Sequence, residues 1–183
     1  MIAYIFWHVP RAGVDDAIYT ARLARFQEEL EQAGPNVTGL SAEPASFRLD
    51  DVAWIAAGRS VYLDLYVMDG TAQMEILNTA AVSGDCKLPH DAVAELYGKG
   101  AGSLYQIRAG AIPANPQHSY WFAKPSGMTY AELDQLLAPL LTDAALLRRM
   151  MVLGPSPEFC ILSSAAIVLP AAISHEDRPL TAV

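Results

Sequence analysis

The chain has 183 residues, 52% of them apolar and 17% charged, so it can bury a sizeable core and intrinsic disorder is excluded. Its formal net charge of −8, with only 12 Lys and Arg, speaks against nucleic acid as a partner, because phosphate binding needs clustered cations. Two cysteines, Cys86 and Cys160, form neither a CxxC motif nor a disulfide framework, and no apolar run is long enough to span a membrane. A soluble cytoplasmic protein with no membrane partner is the expectation.

Residues 2–9 are aromatic and β-branched and end at Pro10, which removes a ladder donor, so they read as a strand. Asp15 or Asp16 then caps a helix over 17–33, with Ile18, Ala21, Leu23, Phe26 and Leu30 as its apolar set. Gly34-Pro35-Asn36 ends it. Residues 37–49 read as extended and broken near Pro44, and 50–60 as a loop with a helical turn over 52–57. Residues 61–68 alternate with period 2, and Asp69-Gly70 closes that strand. Thr71 is read as the cap of a helix to about Ala81. A short helix over 91–97 stops at Gly98, and 103–109 read as a strand. Gly98-Lys-Gly-Ala-Gly102 has no phosphate-cradle context and reads as a flexible turn.

The first 110 residues thus run strand, helix, strand, strand, helix, strand, the split βαβ order of a ferredoxin-like unit. Pro113 and Pro116 mark a linker. Beyond it come a strand over 119–124, a helix over 129–141, a short helix over 143–149, a strand pair around Pro155-Ser-Pro157, and a loosely held tail from Pro170. The chain therefore divides into an N-terminal unit, 1–112, an incomplete second unit, 117–170, and a C-terminal tail, 171–183. The entry to the second unit repeats that of the first. Ile5, Phe6, Trp7 and Pro10 set over Tyr120, Trp121, Phe122 and Pro125, each followed by a glycine and a helix.

Alternation assigns faces to the strands. Over 61–68, Val61, Leu63, Leu65 and Val67 share one face, which is expected to take the helices. Tyr62, Asp64, Tyr66 and Met68 share the other, expected to face the second sheet or a cavity. The first and third strands of a ferredoxin-like sheet are antiparallel neighbours, which brings His8 close to Tyr62 or Asp64.

This order of elements, the duplicated strand-Pro-Gly-helix entry and the polar-aromatic strand face resemble the dimeric α+β barrel superfamily. That group includes antibiotic-biosynthesis monooxygenases, muconolactone-isomerase-like proteins and haem-binding chlorite dismutases. The resemblance implies an α+β fold of tandem ferredoxin-like units whose antiparallel sheets pack face to face, with a pocket between sheet and helices. It also implies a small organic ligand, and a homodimer if a second copy covers the strand edges left by the short second half.

Two functional readings follow. In the first, a cofactor-independent monooxygenase or isomerase acts on an aromatic or polyketide-like compound. There His8 is the general base or acid, Asp64 orients it, and Tyr62 or Tyr66 donates to a carbonyl or enolate oxygen, while Tyr4 and Trp121 stack on a flat substrate. In the second, the chain is a non-catalytic ligand-binding or assembly protein, and the same residues are packing. No metal and no cofactor is expected. No two of the four histidines have metal-ligand spacing on one element, and none sits in a haem context. His90, His118 and His175 read as turn or surface residues, and Lys124 and Arg108 as solvated strand-end cations.

Overall fold

In a computed structural model, which describes residues 1–151 and 154–183, the strands form one nine-stranded antiparallel sheet that nearly closes on itself. The first unit contributes β1 (Ile2–Pro10), β2 (Ala45–Val52), β3 (Ala56–Met68) and β4 (Tyr97–Gly110). The second contributes β5 (His118–Phe122), β6 (Ala144–Arg149), β7 (Phe159–Ser163) and β8 (His175–Pro179), and β9 (Thr181–Ala182) follows. Their order is β8-β5-β7-β6-β4-β1-β3-β2-β9, so each unit has its first strand between its fourth and its third. Helices α1 (Asp16–Ala33), α2 (Pro35–Thr38), α3 (Gln73–Ala81) and α4 (Lys87–Ala94) belong to the first unit, and α5 (Tyr130–Leu137) to the second.

The two halves meet edge to edge where β4 pairs with β6, from Tyr105 opposite Arg149 to Gly110 opposite Ala145. On the far side the C-terminal segment joins them. β8 pairs with β5, Leu180 donates its N–H to Gln117 O at 2.8 Å, and β9 pairs with β2 at Phe47 and Arg48. The segment expected to be loose therefore covers the β5 and β2 edges and supplies the two outer strands of the sheet. It also supplies the second unit's fourth strand; only that unit's second helix has no counterpart, the stretch 164–174 being irregular.

The inward faces of both halves fill the barrel. Ala3, Ile5, Trp7, Leu63, Leu65, Tyr105, Trp121, Leu147 and Leu162 lie in one buried cluster, with Trp7 and Trp121 edge to face at 5.4 Å between ring centroids. This reverses the expected faces of β3: its aliphatic residues line the barrel, and its Tyr-Asp-Tyr face lies under the helices. The barrel interior is sealed from every side, so of the two faces of β3 it takes the aliphatic one, Val61, Leu63, Leu65 and Val67, which has no side-chain polar atoms to satisfy. The repeat also shifts by one. Trp7 and Trp121 point inward together, whereas Phe6 and His8 share the outward side with Tyr120 and Phe122. Since side chains alternate, a slip of one residue moves each to the opposite face.

Three other expectations change. Residues 144–149 form a strand, not a helix, because both faces are buried: Ala145 and Leu147 in the barrel, Ala144 and Leu146 under α5. The 52–57 stretch is a hairpin turn, with Ile55 N–H to Val52 O at 3.0 Å, and Asp51 at φ 56° accepts from Gly58 N–H at 2.9 Å. Helix α3 starts after Thr71 without a side-chain cap. By contrast Asp15 caps α1 by accepting from Ala17 and Ile18 N–H, and Thr129 and Glu132 form a capping box on α5.

Because Leu180 is 7% exposed and sits between the two sheet edges, Leu180→Ala is expected to cost about 2–5 kcal/mol. A drop in the urea midpoint that small surface variants such as Thr181→Ala do not show is the expected result; an unchanged midpoint would refute the closing role of this segment.

Candidate functional site

Helices α1, α3 and α4 cover the outer face of the first unit's sheet and leave a cavity of about 460 Å³ beneath them. Its floor is built by β1, β3 and β4. The rings of Tyr66, Tyr4, Phe6, His8 and Tyr62 form a row across β1 and β3, with successive centroids 6.3, 6.4, 5.2 and 5.7 Å apart and planes within about 20° of parallel. Tyr97 joins the row against Phe6 at 6.2 Å.

These rings lie low because the adjacent strand has no side chains to lift them. A Cβ on Gly100 would come within 2.8 Å of the Phe6 ring, and one on Gly102 would collide with Tyr4. The Gly-x-Gly-x-Gly run read as a flexible turn is therefore part of β4, with Gly100 and Gly102 on the cavity side under the aromatic row.

At the deep end, His8 is 1% exposed and Asp64 is 4% exposed. β1 and β3 pair with Phe6 opposite Asp64 and His8 opposite Tyr62, which sets the two side chains diagonally across the ladder. Asp64 Oδ2 lies 3.2 Å from His8 Nε2, at an angle too oblique for a good hydrogen bond. On its other side His8 Nδ1 is 2.6 Å from the Tyr19 hydroxyl, which descends from α1. Asp64 Oδ1 accepts from Ser46 Oγ at 2.5 Å, Ser46 accepts from Gln27 Nε2 at 2.7 Å, and Tyr66 donates to Asp64 Oδ2 at 3.3 Å. Burial, and then the negative charge of Asp64, pushes the phenols of Tyr19 and Tyr66 well up from their ordinary value. Both are held as hydrogen-bond donors at neutral pH.

Of the residues singled out in the sequence, His8, Asp64, Tyr4 and Tyr66 line this cavity. Tyr62 sits beside it, stacked on His8, with its hydroxyl 2.9 Å from Thr20 Oγ1 and 3.4 Å from Asp16 O. Trp121 is elsewhere: it lies inside the barrel and donates to Ser119 Oγ at 2.9 Å, so the structure does not bring it to the site.

Tyr19, Ser46 and Gln27 escaped the sequence reading. Tyr19, Leu23, Phe26, Gln27 and Leu30 form one buried face of α1, whereas Ile18 is 53% exposed. The spacing i, i+4, i+7, i+8, i+11 carried that signal, but a polar-tipped Tyr and a Gln were passed over in favour of Ile18. Ser46 stands opposite Asp64 on a strand that Pro44 had made to look broken.

The second unit has no such site among the described residues. Its outer face is filled by Tyr120, Phe122, Leu133, Leu137, Phe159 and Ile161. Nor do three or more His, Cys, Asp or Glu side chains converge anywhere among the described residues. No helix is long and apolar enough to cross a membrane.

No protein-family model and no curated protein matches the chain. Solved structures do. A protein from Lactobacillus acidophilus NCFM named as a candidate monooxygenase superposes over 99% of this chain and 93% of its own, with a TM-score of 0.54 and 10% identity. A dimeric Bacteroides fragilis protein of unknown function and ferredoxin-like fold covers 58% of this chain and 95% of its own, at TM-score 0.39 and 12% identity. A chlorite dismutase variant from Candidatus Nitrospira defluvii covers 90% and 77%, at TM-score 0.40 and 8% identity. At these identities the likeness concerns the fold, which is α+β with ferredoxin-like units.

The raised phenols give a pH prediction. A group whose folded pKa exceeds its unfolded value of about 10 stabilises the fold fully below that pH and loses the contribution as pH rises through the folded value. Tyr19, Tyr66 and the barrel's Tyr105 are all raised by burial. Alkaline titration followed by phenolate absorbance is expected to leave at least these three of the eight tyrosines silent until the circular-dichroism signal is lost. Smooth titration of all eight in the folded state would contradict the burial described here.

Proposed function

We propose that the cavity is an active site for proton transfer on a small aromatic or polyketide-like molecule, as in a cofactor-independent monooxygenase or an isomerase. The observation that carries this reading is the chain Tyr19–His8–Asp64 at the wall of a mainly aromatic and aliphatic cavity. Burying three polar side chains together carries a desolvation cost that their mutual contacts must offset, and such clusters concentrate at functional sites.

In the tautomer protonated at Nε2, on the Asp64 side, Nδ1 is free to accept from the Tyr19 hydroxyl. A substrate C–H or O–H proton then passes to the Tyr19 oxygen as the tyrosine proton passes to Nδ1. Asp64 stabilises the imidazolium that forms, and Ser46 and Tyr66 hold Asp64 in place. Tyr62 positions the ring by stacking. The resulting substrate anion has two fates. Reprotonation at another carbon completes an isomerisation. Reaction with dioxygen converts a CH₂ group to C=O and releases one water, with the substrate as the source of electrons. The fold shared with a candidate monooxygenase favours the second fate.

A non-catalytic binding protein is the competing reading, favoured by the fact that both His8 nitrogens face protein groups. The two separate on mutation. His8→Gln and Tyr19→Phe are expected to lower kcat for dioxygen uptake or isomerisation of tricyclic phenols and anthrone-type ketones by about 10²–10⁴-fold, with affinity nearly unchanged. His8→Gln retains hydrogen-bonding bulk where His8→Ala would leave a void beside a buried carboxylate. If the wild-type protein binds these compounds but turns none over, the catalytic reading fails and the binding reading stands.

A further inference from the structure

The charge of the cavity wall specifies its ligand more narrowly than shape alone. No Lys or Arg lines it among the described residues, while Asp64, 4% exposed, does. The Lys and Arg side chains of the covering helices are paired: Arg22 with Ala92 O at 2.8 Å and Glu95 at 3.3 Å, Arg25 with Glu28 and Glu29, and Lys87 with Asp91. The wall's two histidines each stand beside a carboxylate, His8 at 3.2 Å from Asp64 and His90 at 3.3 Å from Asp91. An anionic ligand would therefore enter without a free counter-charge and would meet the buried Asp64 while losing its hydration. Lys and Arg are the usual recognisers of carboxylate, sulfate and phosphate, and this wall offers none.

What it does offer on its strand floor is a half-buried hydroxyl with no partner; Asn78 and Tyr97, which line the cavity without a hydrogen-bond partner among the described residues, are exposed. The Tyr4 hydroxyl lies in the aromatic row above Gly102 and meets no protein hydrogen-bond group among the described residues, unlike those of Tyr19, Tyr62 and Tyr66. Burial and the charge of Asp64 keep it protonated, hence a donor. It stands two residues along β1 from Phe6 and four from His8, on the same face. Four strand residues span roughly 13 Å, about the length of a three-ring molecule.

We infer that the site selects an uncharged, flat, oxygen-bearing ligand of about three fused rings, with the Tyr4 hydroxyl donating to a ligand oxygen at the end remote from His8. Tyr4 is thus a specificity residue, and its role is to read an oxygen, not to stack. This rests on the cavity being the binding site proposed above, but it does not depend on turnover.

The test is therefore equilibrium binding, followed by quenching of intrinsic fluorescence, with three probes: 1,8-dihydroxyanthraquinone, unsubstituted anthraquinone and anthraquinone-2-sulfonate. The hydroxylated neutral probe is expected to bind at least about tenfold more tightly than the sulfonate, a difference of about 1.4 kcal/mol. Tyr4→Phe is expected to weaken the hydroxylated probe about threefold to tenfold more than it weakens a charge-neutral hydrocarbon such as anthracene. Sulfonate binding as tight as the neutral probe, or equal losses for both probes in Tyr4→Phe, overturns the inference; so does failure of every probe to bind. Selective binding without turnover of any phenol would leave this inference intact while removing the catalytic proposal. Turnover confined to anionic substrates would do the reverse.

Discussion

The packed interior of the barrel is the constraint on which the rest of the structure depends. Trp7, Trp54 and Trp121 meet there with pairwise centroid distances of 5.9, 5.4 and 5.4 Å, surrounded by the aliphatic faces of β1 and β3. Once Trp7 is committed inward, the two-residue period of the strand leaves Tyr4, Phe6 and His8 no choice but the outer face. The same rule acts on β3, where Leu63 and Leu65 go in and Asp64 goes out. A polar site under the helices is thus a consequence of an apolar core between the sheets.

Asymmetry between the units follows from what each places on that outer face. The second unit presents Tyr120, Phe122 and Phe159, and α5 packs on them directly. The first presents a row of flat rings on a glycine-bearing strand, and its helices stand off from it. Helix α4 buries none of its eight residues, although His90 and Val93 reach the cavity. One half of the barrel therefore supplies stability and closure, and the other keeps a space lined with titratable groups. The C-terminal segment couples them, since a single short stretch pairs with β5 and β2 in turn.

Much of this was legible in the residues. Period-2 alternation over 61–68, the helix over 17–33 and the repeated strand-Pro-Gly entry were enough for tandem ferredoxin-like units, and antiparallel pairing of the first and third strands brought His8 to Asp64. Local signals failed where packing overrode them. The Ala-Ala-Leu-Leu-Arg-Arg stretch of β6 has good helix formers and no alternation, and only its position between two cores makes it a strand. Glycine-rich β4 looked like a turn because the reason for its glycines, the rings of Tyr4 and Phe6, lies on a strand some 95 residues earlier.

By itself the sequence determined the two-faced strands, the element order and the nearness of His8 to Tyr62 or Asp64. These depend on spacings within a strand or helix, which geometry fixes locally. Only the tertiary structure decided which face turned inward, that Tyr19 completes the His8–Asp64 group, that Trp121 belongs to the core, and that the tail closes the barrel. Each of these is set by what lies opposite in space, and alternation alone gives two faces without saying which one meets water, helix or second sheet.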